Sequence, residues 1–103
     1  AHVTGGGIGA NLSRVLPPGA TARMDRSTWS PQPVFGLLGS HGGVGQGELE
    51  RTLNMGVGMV ALVSRADADA AVDVLKQLGV PAWVAGETVA GDGTAELVGS
   101  YRR

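Results

Sequence analysis

The spacing of hydrophobic residues predicts a helix and then a strand at the start of the chain. Apolar side chains recur at helical intervals over residues 8–16, and the Pro17-Pro18-Gly19 sequence that follows would end this helix. Residues 20–25 alternate between apolar and polar side chains, which is typical of a strand with one buried face.

The middle of the chain predicts turns and short helices. Residues 27–33 have turn chemistry, and one or two helical turns follow at 34–38, with Phe35 and Leu38 expected to point inward. Residues 39–47 are glycine-rich and predict a mobile loop, before a short helix at 48–53.

The second half of the chain predicts a strand–helix–strand unit over residues 57–86. An unbroken apolar run at 59–63 is typical of a strand buried on both faces. Ser64 with Asp67 forms a capping-box pattern, and apolar residues from 71 to 78 then follow at helical spacing up to Gly79. Strands are expected over 80–85 and 94–101, with residues 86–91 either extending the first or turning.

These elements predict an α/β fold, in the sense of an α+β mixed sheet with helices packed on it. A chain of 103 residues suits one domain, with no repeat and no linker. The 18 glycines indicate many positions where the backbone needs unusual angles or close approach.

Composition excludes several classes of function. A net charge of −1 gives no electrostatic reason to expect nucleic acid or an anionic membrane as a partner. The chain has no cysteine, which excludes disulfides, thiolate catalysis and cysteine-bound metals and fits a reducing cytoplasm. No apolar run reaches the roughly 20 residues of a membrane helix.

The glycine cluster Gly5-Gly6-Gly7 is the strongest candidate for a binding site. Three glycines leave the backbone uncovered, and with Thr4 as N-cap they would open a helix whose first N–H groups can meet an anion. His2 stands beside them as a second candidate, with a structural role as the alternative. Because the cluster stands at the start of the sequence, we expect these residues to belong to something longer.

Other interpretations of the glycines remain open from the residues themselves. The spacing Gly5-x-Gly7-x-x-Ala10, with Asp25 after the next strand, also matches a dinucleotide fingerprint. The early stop of the helix and the lack of a following βαβ unit weigh against a Rossmann fold, and no lysine follows to suggest a phosphate-loop ATPase. A tight turn without a ligand is the remaining alternative.

Arg51 and Asn54 form a second candidate site, at a helix end just before the predicted buried strand. Such junctions often carry ligands in α/β proteins, and a guanidinium suits phosphate or carboxylate. The alternatives are an ordinary surface charge for Arg51 and a helix C-cap for Asn54. We interpret Glu48 and Glu50 as a helix start on the solvent face, and Trp29 and Trp83 as core or interface; no metal site or nucleophile–base pair is evident.

Three blocks of sequence resemble the phosphoribosylformylglycinamidine cyclo-ligase (aminoimidazole ribonucleotide synthetase) family, in the second of its two domains. The first joins residues 2–7 to the Asn-Leu-x-Arg-Val-Leu-Pro sequence at 11–17. The second runs from Trp29 and Val34-Phe35 to Arg-Thr-x-Asn-Met-Gly-Val-Gly-Met at 51–59, and the third is Ala82-Trp83-x-x-Gly86. Glu50, where the family commonly has Tyr, and Leu53, in place of Phe, depart from the pattern.

The resemblance implies an enzyme of purine biosynthesis. The family's enzymes are cytoplasmic homodimers that use ATP and Mg²⁺ to convert formylglycinamidine ribonucleotide to aminoimidazole ribonucleotide. It also implies that residues 1–103 are part of the C-terminal domain, that an N-terminal ATP-binding domain lies outside them, and that they have no ligase activity alone.

The resemblance further implies a substrate- or phosphate-binding role for seven residues, while the catalytic group remains unknown. These residues are His2, Thr4, Gly5, Gly6, Gly7, Arg51 and Asn54. Two other classes of function stay open: a non-catalytic phosphate- or nucleotide-binding module, and a dimerisation module with residues 59–63 in its interface.

Overall fold

A computed structural model of the chain describes residues 1–102. A three-stranded sheet has the order β2-β1-β3, and four α-helices accompany it. The strands are β1 (Ala20–Asp25), β2 (Gly86–Ala90) and β3 (Ala95–Val98); the helices are α1 (Gly7–Ser13), α2 (Pro33–Gly42), α3 (Gln46–Thr52) and α4 (Ala68–Gln77). Short 3₁₀ turns lie at Arg26–Thr28 and Arg65–Asp67. The predicted mixed sheet with helices is confirmed.

Strand β1 lies at the centre of the sheet, paired with β2 on one side and with β3 on the other. Ala22 and Met24 are buried, whereas Arg23 points to solvent and pairs with Glu96 at 2.8 Å. β2 runs antiparallel to β1 and β3 runs parallel to it, so the loop from residue 91 to 94 crosses the start of β1. A Cβ at Gly91 would lie 3.4 Å from the Thr21 backbone nitrogen and would overlap the Thr21 side chain, so only glycine fits there.

The core lies between this sheet, α1 and the segment that follows α3. Ile8 and Leu12 of α1 are its two most completely buried side chains. The full set of buried apolar residues is Val3, Ile8, Leu12, Ala22, Met24, Trp29, Met55 and Val57. Helix α1 therefore packs on the sheet and on α3 at once, and this places the glycine cluster at its start beside α3.

Most of the local predictions in the first half of the chain are confirmed, with shifted boundaries. Strand 20–25 is confirmed in full, and the helix predicted to reach residue 16 ends at Ser13. Helix α2 continues to Gly42, so the loop predicted from residue 39 begins later, and Gly43 ends the helix with a φ of 64°. Leu38 was expected to point inward; it is 49% exposed, and α2 as a whole has no buried residue.

Two predicted strands in the second half are wrong. Residues 59–63 have no strand, and Met59 is 71% exposed with one isolated antiparallel bridge to His2. Residues 80–85 are also outside any strand, so the predicted crossover unit over 57–86 is absent from the described chain. Both edges of β1 are taken by β2 and β3, and within residues 1–102 the run at 59–63 is paired only with the first residues of the chain, too briefly to form a strand.

Helix α4 is confirmed, and none of its residues is buried. Gly79 ends it with a φ of 80°, as predicted from the sequence. Its apolar side chains Val74 and Leu75, and Leu78 just after its end, are exposed rather than packed on the sheet. Over residues 1–102, none of the helices is long and apolar enough to cross a membrane.

Candidate functional site

The glycine cluster forms a tight turn that Asn11 holds from inside the fold. The N–H group of Gly7 donates to the carbonyl oxygen of Thr4 at 3.2 Å. The amide of Asn11, only 5% exposed, donates to the carbonyl oxygens of Gly7 at 2.7 Å and of Thr4 at 3.2 Å. The Thr4 hydroxyl in turn donates to Asn11 Oδ1 at 3.2 Å. Because both sides of the Asn11 amide are engaged, this buried group is satisfied and the shape of the turn is fixed.

Thr4 does not cap α1, so the predicted N-cap is wrong. Gly6 occupies the N-cap position in a left-handed conformation with a φ of 98°, and no side chain caps the helix. The hydroxyl of Thr4 instead belongs to the Asn11 network one turn further along. Asn11 was missing from the candidates; a polar residue among the apolar positions of the predicted helix was the available signal.

Two of the three glycines are required by the fold, for different reasons. A Cβ at Gly7 would overlap the carbonyl oxygen of Glu50 and lie 2.9 Å from its carbonyl carbon, so close packing against α3 demands glycine. Gly6 is needed for its positive φ. Gly5 has neither constraint, because a Cβ there would meet nothing within 4 Å. Within residues 1–102, the N–H groups of Gly5 and Gly6 have no hydrogen-bond acceptor. These two amides are thus open to a ligand.

His2 and Thr4 lie on the exposed side of the same segment. The main chain of residue 2 pairs with Met59, and the N–H group of Val3 donates to the carbonyl oxygen of Gly58 at 2.9 Å. These contacts hold the start of the chain against residues 58–60. The structure therefore brings the two candidate segments, 2–7 and 51–58, next to each other.

Arg51 and Asn54 have separate surroundings in the second segment. The Arg51 side chain is 71% exposed and donates to Glu48 at 2.6 Å, as a surface pair one helical turn away. Asn54 Oδ1 accepts the N–H group of Gly56 at 2.9 Å and so shapes the turn after α3. Leu53, not Asn54, is the C-cap of α3, so the C-cap alternative for Asn54 is wrong.

Trp29 connects this turn to the core, and its burial confirms the position in the core that was one of its two predicted roles. Its indole N–H donates to the carbonyl oxygen of Met55 at 3.1 Å. Met55 has a φ of 52°, which is rare for a residue with a side chain. Trp29 also packs edge-on against Tyr101, with ring centroids 5.3 Å apart, and tilted against the partly exposed Trp83 at 6.3 Å. The aromatic cluster thus supports the segment that carries Asn54.

Glu50 is buried, so its interpretation as a solvent-facing residue is wrong. It is 9% exposed and makes a two-pronged ion pair with Arg26, with both nitrogen–oxygen distances at 2.8 Å. The hydroxyl of Tyr101 donates to the same carboxylate. Burial acts to raise the pKa of Glu50, but the hydrogen bonds from Arg26 and Tyr101 outweigh it and hold that pKa below its ordinary value. Burial, followed by the carboxylate of Glu50, raises the pKa of Tyr101.

One depression of the surface lies away from the seven candidate residues. It is an open groove of about 510 Å³ between α2 and α3, lined by apolar side chains such as Phe35 and Leu49 and by none of the seven candidates. Residues 1–102 contain no group of three or more His, Asp or Glu side chains placed to hold a metal ion. The candidate site is therefore a surface formed by a glycine turn and its neighbours, not a closed pocket.

Comparison with known proteins identifies the family. The model of the family described as AIR synthase related protein, C-terminal domain, matches residues 1–99. A Streptomyces fradiae protein named "Putative phosphoribosylformylglycinamidine cyclo-ligase" is 58% identical over 87 residues, which are 84% of this chain and 48% of that protein. Phosphoribosylformylglycinamidine cyclo-ligases of Paraburkholderia phymatum and Burkholderia multivorans are 48% identical over 86 residues and 46% identical over 99.

The chain spans about half the length of the Streptomyces fradiae relative and about a quarter of the other two, 24% and 28%. The shared stretch covers both candidate segments, since the family match begins at residue 1 and ends at 99. On this match, the chain belongs to the AIR synthase related protein family, as a C-terminal domain sequence of that family.

Proposed function

We propose that the chain forms one wall of the active site of an ATP-dependent cyclo-ligase that converts formylglycinamidine ribonucleotide to aminoimidazole ribonucleotide. The proposed activity is inferred from the names of its relatives, and the proposed phosphate binding is inferred from the structure of the glycine turn. The observation that carries the proposal is the pair of open N–H groups at Gly5 and Gly6, on a turn that Asn11 holds rigidly. Fixed N–H donors that need no rearrangement are suited to a phosphate group.

In this reaction, ATP would activate the formyl amide oxygen of the substrate as a phosphate ester, and the amidine nitrogen would then displace phosphate and close the ring. The chain's part would be to bind and orient. Gly5 and Gly6 would donate to phosphate oxygens, while His2 and Thr4 line the same cleft. Arg51 would add positive charge, since its exposed pair with Glu48 is weak enough to exchange for a phosphate.

Cofactors and partners beyond this surface belong to the proposal as well. ATP would meet the glycine turn through one of its phosphates. Within residues 1–102 no carboxylate cluster fits Mg²⁺, so we assign no residue of the chain to that ion. A cytoplasmic homodimer is the assembly that the resemblance implies, and the chain alone is expected to be inactive.

A chimera tests the function directly. The matched 86 residues of the Paraburkholderia phymatum enzyme would be replaced by the corresponding residues of this chain. We expect ADP formation that depends on formylglycinamidine ribonucleotide, and its loss when the chimera also carries Gly5→Val. A folded chimera that binds phosphate but forms no aminoimidazole ribonucleotide would favour a non-catalytic phosphate-binding module instead.

A second candidate function, dimerisation, is favoured by the open apolar surface of the second half. Met59, Leu62 and Val63 are exposed, as are the apolar side chains of α4. The chain exposes 6491 Å², against about 5,400 Å² for a compact monomer of its mass. The excess of about 1,100 Å² is comparable to the ~800 Å² that each partner buries in a standard interface.

Light scattering after size exclusion would test this candidate. A dimerisation module is expected to run as a discrete dimer that Leu78→Lys converts to a monomer, while Val34→Lys on α2 has no effect. Leu78 and Val34 are both exposed, at 73% and 49%, so neither change opens a cavity. A monomer at every concentration would exclude dimerisation.

A further inference from the structure

Glu50 connects the two candidate segments through its side chain and its main chain. The side chain points towards the end of β1, where Arg26 donates a hydrogen bond to each of the two carboxylate oxygens at 2.8 Å. Arg26 is itself tied to the carbonyl oxygen of Gly99 at 3.1 Å, and Tyr101 donates to Glu50 from the same end of the chain. The last turn of α3 is therefore fixed to the sheet by several charge-assisted hydrogen bonds, which are about twice as strong as neutral ones.

The main chain of Glu50 lies directly under the glycine turn. A Cβ at Gly7 would lie 2.9 Å from the carbonyl carbon of Glu50 and 3.3 Å from that of Arg51. No side chain separates the two backbones there, so a shift of α3 moves the surface on which Gly7 rests. Because interiors are closely packed, such a shift is transmitted rather than absorbed.

The candidate binding groups stand on both sides of this contact. Gly5 and Gly6 precede Gly7, and Arg51 and Asn54 follow Glu50. We infer that Glu50, held by Arg26, is a positioning residue that sets the distance between the glycine turn and the Arg51–Asn54 segment. The inference rests on the proposed phosphate-binding function of that surface.

A neutral side chain of the same size at position 50 would hold the last turn of α3 less firmly. Gln at position 50 keeps the shape but gives Arg26 an amide oxygen in place of one carboxylate oxygen and an amide NH₂ in place of the other. The NH₂ group faces a donor, so one prong of the pair is lost and the guanidinium is left partly unpaired in a half-buried site. The last turn of α3 then loses its fixed position.

The test compares Glu50→Gln with Arg23→Gln in the ¹⁵N-labelled chain. Arg23 is a matched control, because its ion pair with Glu96 has the same 2.8 Å distance and lies on the exposed face of the sheet. Without ligand, Glu50→Gln is expected to move the amide signals of Gly5, Gly6 and Gly7, and Arg23→Gln to leave them in place. In a titration with inorganic phosphate, Glu50→Gln is expected to weaken binding at these amides by about tenfold, as loss of supporting contacts behind a binding group does elsewhere.

Tyr101→Phe separates positioning from stability. It removes one hydrogen bond from the same carboxylate and leaves the Arg26 pair, so it should destabilise the chain while the three glycine signals stay near their wild-type positions. Arg26→Lys, which keeps the charge but loses the fork, serves as a second positioning variant if Glu50→Gln does not fold. It should move the glycine signals as Glu50→Gln does.

The two possible failures are distinguishable. If the wild-type glycine signals do not respond to phosphate, the proposed binding site fails, and the ligand-free signals still decide the positioning role. If Glu50→Gln and Arg26→Lys move those signals no more than Arg23→Gln does, Glu50 is not a positioning residue. If Tyr101→Phe moves the glycine signals as far as Glu50→Gln does, Glu50 contributes only to general stability.

Discussion

Gly7 packs directly on the main chain of Glu50, so that no side chain can stand between helix α1 and the last turn of α3. The glycine cluster therefore contains one position that serves packing and two that leave amides open. Only Gly5 and Gly6 therefore have N–H groups that can bind a ligand, and Gly7 belongs to the packing of the fold.

Gly7→Ala is expected to destabilise the chain severely. The added Cβ would collide with backbone atoms of Glu50 that cannot move aside, at a residue whose φ is already 79°. Overpacking of this kind, added to the strain at positive φ, should cost at least about 3 kcal/mol of unfolding free energy. Urea denaturation would measure the loss.

Gly5→Ala is the control for that experiment, since a Cβ there meets nothing within 4 Å. Its unfolding free energy should stay within about 0.5 kcal/mol of the wild type. Similar losses for both variants would mean that Gly7 does not touch α3 as described.

Gly5→Val is expected to impair binding without unfolding the chain. The branched side chain would crowd the exposed surface at Gly5 and Gly6 and obstruct a phosphate, whereas Asn11 holds the turn through main-chain carbonyl oxygens that a valine keeps. A phosphate titration followed at the amide of Gly6 should show weakened binding, with circular dichroism unchanged. Unaltered binding would remove the glycine turn from the proposed site.

The Arg26–Glu50 pair predicts a specific pH dependence of stability. The folded chain holds the pKa of Glu50 below its ordinary value, so the unfolded state binds more protons between the two pKa values. The stabilising contribution is therefore complete above the unfolded pKa, about 4.3 for Glu, and is lost as the pH falls through the folded value.

Urea denaturation from pH 7 down to pH 3, repeated with Glu50→Gln, would isolate this contribution. The difference in unfolding free energy between the wild type and the variant should shrink as the pH falls. Asp25 and Asp92 also have lowered pKa values, mainly from hydrogen bonds with Ser27 and Thr94 respectively, and these effects cancel in the difference because both proteins retain them. A constant difference across this range would contradict the prediction.

Local periodicity predicted strand β1 and helix α4, although the two strands that pair with β1 come from the far end of the chain. The alternation over 20–25 was sufficient for β1, and the amphipathic spacing before Gly79 was sufficient for α4. The apolar run at 59–63 has an equally strong pattern, yet a strand needs a neighbouring strand to receive its N–H and C=O groups. No local pattern reports whether such a neighbour exists, and within the described residues the only main-chain pairing of this run is a short one, of residues 58–60 with residues 1–3.

The residues of the candidate site also fall into those that the sequence could predict and those that it could not. The glycines are visible in the sequence because their lack of side chains is the signal itself. Asn11 and Glu50 were missed because a polar residue on a helix is ordinarily exposed, and only the tertiary fold shows what it pairs with. Their burial is recognisable once Arg26 and the carbonyl oxygens of the turn are in place.

The indole of Trp29 offers a last prediction, on the turn that carries Asn54. Trp29→Phe keeps an aromatic ring in the core but removes the N–H group that the carbonyl oxygen of Met55 accepts at 3.1 Å. Met55 holds a φ of 52°, so loss of this bond frees a strained turn and leaves a buried acceptor unsatisfied. We expect a loss of about 2–3 kcal/mol of unfolding free energy, together with faster hydrogen exchange at Gly56 and Val57, whose N–H groups donate to Asn54. Trp83→Phe is the matched control, because its indole N–H donates to the Thr28 hydroxyl at a partly exposed position and not to the carbonyl oxygen of Met55; it should cost under about 1 kcal/mol and leave exchange at Gly56 unchanged. If both variants accelerate exchange equally, Trp29 does not hold the turn through Met55.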